Sequence, residues 1–222
     1  MYDGLNQNFL QHRRKLNVEA GTRCPLLCPG CSRTKHMLGL EPTKLEIGDL
    51  SLENFRLIVR PENNLEAIVY NMALGDPIYS ATIMEQIEYM NTLEKRPKIS
   101  CSTNGSGRSK DWWIKFSSLL HPTKDRIEFA IDGLEDTNHI YRVNAKWDSV
   151  ITGVRTLREN FSGPIMWRYI VFEHNYHQVP EARELATDLG VTFFQAILGD
   201  SRTPEHMKLK SKPWSEIIEN IS

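Results

Sequence analysis

The sequence has 222 residues, with 28 acidic and 27 basic side chains, and 40% of its residues are hydrophobic. This length and apolar content fit one globular domain, and the near-neutral charge argues against a nucleic-acid or anionic-membrane binder, because such proteins need a basic excess. No apolar run is long enough to span a membrane and the first residues lack the pattern of a signal peptide, so a cytoplasmic location is expected.

Apolar residues follow strand-like and helix-like patterns in alternation along the chain. Strands are predicted at Leu16–Ala20, Glu66–Met72, Lys98–Ser102, Arg126–Ile131, Ile165–Phe172 and Val191–Ile197. They begin roughly 25 to 50 residues apart, which is the room that a helical crossover between parallel strands needs. Helical patterns between them follow capping residues Ser51 and Ser80, surround Val154, and run from Pro180 to Gly190.

Six strand–helix units predict an α/β fold, a partial (β/α)6 barrel similar to an incomplete TIM barrel. A flat, doubly wound sheet is the alternative. The core is expected to cover residues 16–198, with an N-terminal arm at 1–15 and a C-terminal tail at 199–222 that ends in a short closing helix. In either fold, the loops after the strands are where chemistry is expected.

Three of the four cysteines lie in one loop, directly after the first predicted strand: Cys24, Cys28 and Cys31. In a reducing compartment, clustered thiols hold a metal more often than they form disulfides. Three thiolates at this spacing can bind a [4Fe–4S] cluster and leave its fourth iron without a protein ligand. The alternative is a structural zinc site with His36 as the fourth ligand. Cys101, on another strand, is expected to be a small buried side chain.

The Cys-x3-Cys-x2-Cys run resembles the signature of radical S-adenosylmethionine (SAM) enzymes, and the resemblance extends over residues 16–198. After the second strand, Gly75, Asp76 and Pro77 are similar to the end of the family's Gly-Gly-Glu-Pro segment, which meets the SAM amino group. Asn104, after the third strand, matches the asparagine of the family's Thr-Asn-Gly segment. The resemblance implies that Asp76 accepts a hydrogen bond from the SAM ammonium group.

The segment after the fourth strand is similar to a stretch of the peptide- and sulfatase-maturing branch. Asp132 lies in its Ile-Asp-Gly part, and His139, Tyr141 and Arg142 match its His…Tyr-Arg part. The resemblance implies that Arg142 reaches the SAM carboxylate. Because Cys101 is the last cysteine in the sequence, the auxiliary-cluster domain of the peptide maturases is expected to be absent.

Four residues depart from the family pattern, and one of them is Asp76, which stands where the family has a glutamate. Gly30 stands where an aromatic residue commonly lies against adenine, so adenine packing must come from elsewhere. Leu74 replaces a glycine, and Ala130 stands where serine is common.

The resemblance implies that the cofactors are a [4Fe–4S] cluster and SAM, with flavodoxin or ferredoxin as electron donor and a 5′-deoxyadenosyl radical that abstracts hydrogen. The His139–Arg142 stretch favours a peptide or protein substrate. The missing auxiliary domain favours a small molecule or nucleotide, and a non-catalytic iron–sulfur or zinc scaffold is the third alternative. A bulky substrate, a second copy or a partner chain is expected to cover the barrel's open side, in contact with Trp214 and with one of Trp112 and Trp113.

Overall fold

A computed structural model describes residues 15–210 of the chain. Its centre is one parallel sheet of six strands in the order 1-2-3-4-5-6. The strands are β1 (Lys15–Val18), β2 (Ala67–Tyr70), β3 (Lys98–Thr103), β4 (Arg126–Ala130), β5 (Ile165–Val171) and β6 (Phe193–Leu198). All six predicted strands are therefore confirmed, with slightly different ends.

Helices connect the parallel strands as crossover connections require. They are α1 (Ser32–Met37), α2 (Leu52–Ile58), α3 (Ile83–Asn91), α4 (Lys110–Ser118), α5 (Asn138–Tyr141), α6 (Trp147–Asn160) and α7 (Val179–Asp188). Short 3-10 turns lie at Pro61–Asn63, Pro77–Tyr79, Tyr176–Gln178 and Glu205–Met207.

Two of the predicted helix starts have different outcomes. The Ser51 hydroxyl accepts a hydrogen bond from the Asn54 amide at 3.1 Å and caps α2, as expected. Ser80 does not cap α3, because the turn at Pro77–Tyr79 comes first and Thr82 occupies the cap position. The Ser80 hydroxyl accepts instead from the Thr82 amide at 3.3 Å.

The strand order excludes the doubly wound alternative. Each strand pairs in parallel with the next strand in sequence, whereas a doubly wound sheet reverses its order at an internal strand. A sheet that always progresses in one direction curls with its helices on the outside, which is the partial (β/α)6 barrel. Among the described residues, β1 and β6 form the two edges of the sheet.

The main core lies between the outer face of the sheet and the helices. Trp113, Phe129 and Trp167 are fully buried there, and so is Cys101, as predicted. Trp112 lies on a different face of α4, is half-buried, and stacks on the ring of Phe116 at 4.9 Å. The two adjacent tryptophans have different environments because neighbouring residues of a helix do not share a face.

The inner face of the sheet is more polar than the outer face. Along β5, Trp167 and Tyr169 are buried against the helices, while Arg168 and Ile170 alternate with them and are partly exposed. The opposite orientation of successive side chains explains this pattern. The inner face therefore contributes polar groups to the space inside the barrel.

The C-terminal tail, as far as Lys210, packs on the rest of the chain. Met207 is buried, and its carbonyl oxygen accepts from the Glu173 amide at 3.1 Å. The closing helix predicted around Trp214 lies outside the described residues, as does the predicted N-terminal arm except for Lys15, which begins β1. Within residues 15–210, no helix is long and apolar enough to cross a membrane.

Candidate active site

The cysteine loop joins β1 to α1 at the carboxyl edge of the sheet. Cys28 is buried, Cys24 and Cys31 are half-buried, and none is in a disulfide. All three border one pocket of about 380 Å³. Cys31 precedes the first residue of α1, and its amide donates to the carbonyl of Cys28 at 3.0 Å. The local turn therefore brings all three thiols to the wall of the same pocket.

A buried arginine on α1 holds the cysteine loop in place through hydrogen bonds to its backbone. Arg33 is 8% exposed, and its Nε donates to the Thr22 carbonyl at 2.8 Å while Nη1 donates to the Leu26 carbonyl at 3.4 Å. These carbonyls lie on either side of Cys24, so the side chain holds the loop in its turn. The sequence analysis missed Arg33, because an arginine after a cysteine motif carries no signal of its partners.

The loop after β2 is held against the cysteine loop. The carboxylate of Glu19, at the end of β1, accepts from the amides of Ala73 and Leu74 at 3.2 and 3.1 Å. The Asp76 amide donates to the Arg23 carbonyl at 2.9 Å. Glu19 was also missed by the sequence analysis, although its place at the end of a strand was a usable signal.

Gly75 is required by the close contact between these two loops. A Cβ added there would lie 2.0 Å from the Gly21 carbonyl oxygen and 2.8 Å from Thr22 Cα, both backbone atoms. We expect Gly75→Ala to lower the free energy of unfolding by about 1–3 kcal/mol or more, because the backbone must move apart. Gly48→Ala is the matched control, since a Cβ there meets nothing within 4 Å. Thermal unfolding compares them, and equal losses in both variants would contradict the role of Gly75.

Asp76 and Asn104 form a buried polar pair on the pocket wall. Asp76 Oδ2 accepts from the Asn104 amide at 2.7 Å, from the Thr103 hydroxyl at 3.1 Å and from the Asn104 side chain, while Oδ1 accepts from the Ile78 amide at 3.2 Å. Burial raises the pKa of Asp76 to about 6, against the lowering effect of these donors. Its contact with the SAM ammonium group stays a prediction. Within the protein, the carboxylate joins the loops after β2 and β3, and Pro77 begins the turn that follows it.

Asp132 and Arg142 form an ion pair, and Arg142 borders the same pocket. Arg142 Nε lies 2.6 Å from Asp132 Oδ2, and the other carboxylate oxygen accepts from the Ile170 amide at 2.7 Å. The Asp132 side chain is fully buried and that of Arg142 is 13% exposed. Asp132 therefore orients Arg142 toward the pocket, where Arg142 Nη1 lies 3.9 Å from Cys28 Sγ. The role of Arg142 at the SAM carboxylate stays a prediction.

The surroundings of the thiols fit an iron–sulfur cluster. Asn104 Nδ2 lies 3.5 Å from Cys24 Sγ, so this amide and the Arg142 guanidinium direct donors at two of the sulfurs. Such donors stabilise thiolates and tune the clusters that thiolates hold. Without a bound cation, burial and the Asp76 carboxylate raise the pKa of Cys24 to about 12, and burial raises the pKa of Cys28. Metal binding would therefore release protons from these thiols.

The arrangement does not form the alternative zinc site with His36. Within residues 15–210, no three His, Cys, Asp or Glu side chains could together hold a single metal ion. His36 Nδ1 instead lies 2.8 Å from the Thr43 carbonyl oxygen. A [4Fe–4S] cluster binds each thiolate through a different iron, so its ligands do not need to meet at one point.

The position of the C-terminal tail explains why residue 30, directly before Cys31, is a glycine. A Cβ on Gly30 would lie 2.7 Å from the Tyr141 hydroxyl and 2.8 Å from the Arg202 carbonyl oxygen. An aromatic side chain cannot fit between them. Tyr141 also packs on Phe172, with ring centroids 4.4 Å apart, in a small apolar cluster that includes Met207. The tail thus occupies space beside the cysteine loop, and no pattern in the sequence indicated this contact.

Comparison with known proteins gives a match in structure only. No protein-family model matches the chain, and no curated protein matches it at a significant level. SuiB from Streptococcus suis bound to precursor peptide SuiA superposes with a TM-score of 0.71 at 14% identity, over 97% of this chain and 46% of SuiB. Native anSMEcpe with bound AdoMet and Cp18Cys peptide gives a TM-score of 0.69 at 16% identity, over 93% of this chain and 58% of its own.

A third similar structure is the radical S-adenosylmethionine methyltransferase TsrM from Kitasatospora setae, with cobalamin and a [4Fe-4S] cluster bound. Its TM-score is 0.60 at 9% identity, over 87% of this chain and 38% of TsrM. The chain therefore has the fold of the radical SAM superfamily. It spans about half the length of the SuiB structures that it matches.

Proposed function

We propose that this chain is a radical SAM enzyme that acts on a peptide or protein substrate. The observation that carries the proposal is the pocket in which three free thiols meet Asp76, Asn104 and Arg142. The three thiols lie in the loop after β1, whereas Asp76, Asn104 and Arg142 follow β2, β3 and β4. The fold brings these four segments to one pocket. The fold's likeness to radical SAM enzymes supports the same conclusion.

In the proposed site, Cys24, Cys28 and Cys31 hold a [4Fe–4S] cluster. When bound, this cluster would offer SAM an iron without a protein ligand and would pass on one electron received from an external donor, which is the chemistry that cleaves SAM. Arg142 pairs with the SAM carboxylate, and Asp132 keeps the guanidinium in place. Asp76 and Asn104 lie on the ammonium side, where Asp76 also holds the loop. The apolar cluster around Tyr141 shields Cys28 from water and packs against Cys24 and Cys31.

The peptide substrate is supported by what two of the similar structures contain. SuiB was solved with a precursor peptide and anSMEcpe with the Cp18Cys peptide. A small molecule or nucleotide is the alternative substrate. Flavodoxin or ferredoxin is the proposed electron donor, because Cys24 and Cys31 are only half-buried and an adjacent cluster would lie close to the surface.

We also propose that a large substrate or a partner chain covers the open side of the barrel. Phe193 and Leu198 on edge strand β6 are 54% and 44% exposed, which supports such a contact. Trp113 does not contribute, because it is fully buried in the core. Trp112 lies on α4 at the outer face and is half-buried there.

The test of the proposed function is anaerobic reconstitution with iron and sulfide, followed by an assay for 5′-deoxyadenosine. We expect its formation from SAM with dithionite and none without reductant. A protein that gains iron and binds SAM but never forms 5′-deoxyadenosine would favour the non-catalytic scaffold. Formation that increases only when candidate peptides are added would favour the peptide substrate over a free metabolite.

A further inference from the structure

The pocket extends from the cysteines onto the inner face of the sheet, where a charged pair lies that the SAM-binding motifs do not include. Arg168 on β5 and Glu128 on β4 both border the pocket, together with Ser102 on β3. Arg168 is paired in register with Ala130, which also borders the pocket. These residues come from the middle or end of three neighbouring strands, so the sheet itself fixes their positions.

Glu128 holds Arg168 in a defined orientation. Arg168 Nη2 lies 2.7 Å from Glu128 Oε2, and the Ser102 hydroxyl donates to Glu128 Oε1 at 3.1 Å. The Glu128 side chain is 5% exposed, whereas that of Arg168 is 41% exposed. Both carboxylate oxygens are thus occupied, and the cationic partner is the one that faces the open space.

Arg168 differs from the other arginines of the pocket in its hydrogen bonding. Arg33 donates to backbone carbonyls, Arg142 pairs with Asp132, and Arg202 pairs with Asp200. Arg168 Nε is buried and has no hydrogen-bond partner in the structure. Of the buried side-chain atoms without a partner among residues 15–210, it is the one that belongs to a residue of this pocket.

We propose that Arg168 recognises an anionic oxygen group of the substrate, a carboxylate or a phosphate, with Glu128 and Ser102 as the residues that position it. Arginine suits such a group because its planar donors match carboxylate and phosphate oxygens. A partly exposed ion pair of this kind contributes little to stability, so stability alone gives no strong reason for a charged pair inside the barrel. This inference rests on the proposed function, since it treats the pocket as one that admits a substrate beside SAM.

The test measures the binding of small probes to the full chain by isothermal titration calorimetry. The probes are N-acetylglutamate amide, its neutral counterpart N-acetylglutamine amide, and inorganic phosphate. We expect the wild type to prefer a charged probe, and Arg168→Gln to bind it about 10-fold or more weakly. Arg155→Gln removes the same charge from an exposed position on α6 and is expected to bind like the wild type.

The two charged probes distinguish a carboxylate from a phosphate as the recognised group. The proposal is overturned if the wild type does not prefer either charged probe, or if Arg168→Gln keeps wild-type affinity. It is also overturned if Arg168→Gln loses SAM affinity in parallel, because Arg168 would then serve SAM. If Arg168→Gln does not fold, the double variant with Glu128→Gln and Arg168→Gln is measured instead, because it leaves no unpaired charge. This double variant must then show the same loss of affinity for the charged probe. These readouts do not depend on 5′-deoxyadenosine formation, whose absence would overturn the proposed function alone.

Discussion

Replacing Cys24, Cys28 or Cys31 with Ala is expected to abolish both the iron–sulfur absorbance and the formation of 5′-deoxyadenosine after anaerobic reconstitution. A cluster with three protein ligands is released from the protein when one ligand is removed. The sequence has no other thiol near the pocket that could replace it. The fourth cysteine, Cys101, is 1% exposed in the main core. Iron analysis and visible absorbance, measured before and after a desalting step, give the result.

Cys101→Ala is the matched control for these variants. It removes a thiol of the same kind from the far face of β3, so it should cost about 1 kcal/mol of stability and leave the iron content unchanged. Anaerobically purified protein that contains one zinc and no iron would contradict the cluster assignment. Loss of iron in Cys101→Ala as well would show that the losses reflect unfolding.

Arg142→Gln is expected to weaken SAM binding about 10- to 150-fold, because in the proposed site it removes a charge-assisted contact to the SAM carboxylate. It should also lower the free energy of unfolding by about 3–5 kcal/mol, because it leaves the fully buried Asp132 without its partner. Equilibrium binding of SAM to the reconstituted protein measures the first effect, and chemical unfolding of the protein measures the second.

The variant with both Asp132→Asn and Arg142→Gln separates these effects. Without a buried charge, its stability should recover most of the loss, while SAM binding should remain weak. Recovery of SAM affinity together with stability would show that Arg142 acts only through folding. Unchanged affinity in the single variant would refute the assignment of Arg142 to SAM.

The sequence predicted the parts of this fold that depend on local pattern. Strands buried on one face, such as β5, show clear periodicity, and the cysteine loop has a spacing that points to its chemistry directly. The strand order needed the structure, because parallel crossovers of similar length occur in barrels and in doubly wound sheets. Helix α4 was missed, because adjacent tryptophans and scattered polar residues blur its apolar stripe.

The candidate site was predicted only where a motif existed. Cys24, Asp76 and Arg142 follow strands in recognisable segments, and the structure brings them to one pocket. Glu128 and Arg168 lie inside strands. The alternation of polar and apolar residues there predicts which face of the sheet each side chain is on, but it does not predict which strands are neighbours. The contact of Gly30 with Arg202 joins residues far apart in sequence. Long-range contacts of this kind depend on the assembled barrel.

The consecutive strand order also affects how the chain is made. Each strand pairs with the strand that precedes it in the sequence. The sheet can therefore grow from β1 while the chain is being synthesised, because each new strand finds its partner already made. The thiols emerge directly after β1, whereas Asn104, Arg142 and Met207 emerge progressively later. We therefore expect the thiols to stay open to oxidants until the segment around Met207 has been synthesised, and metal loading to follow that point.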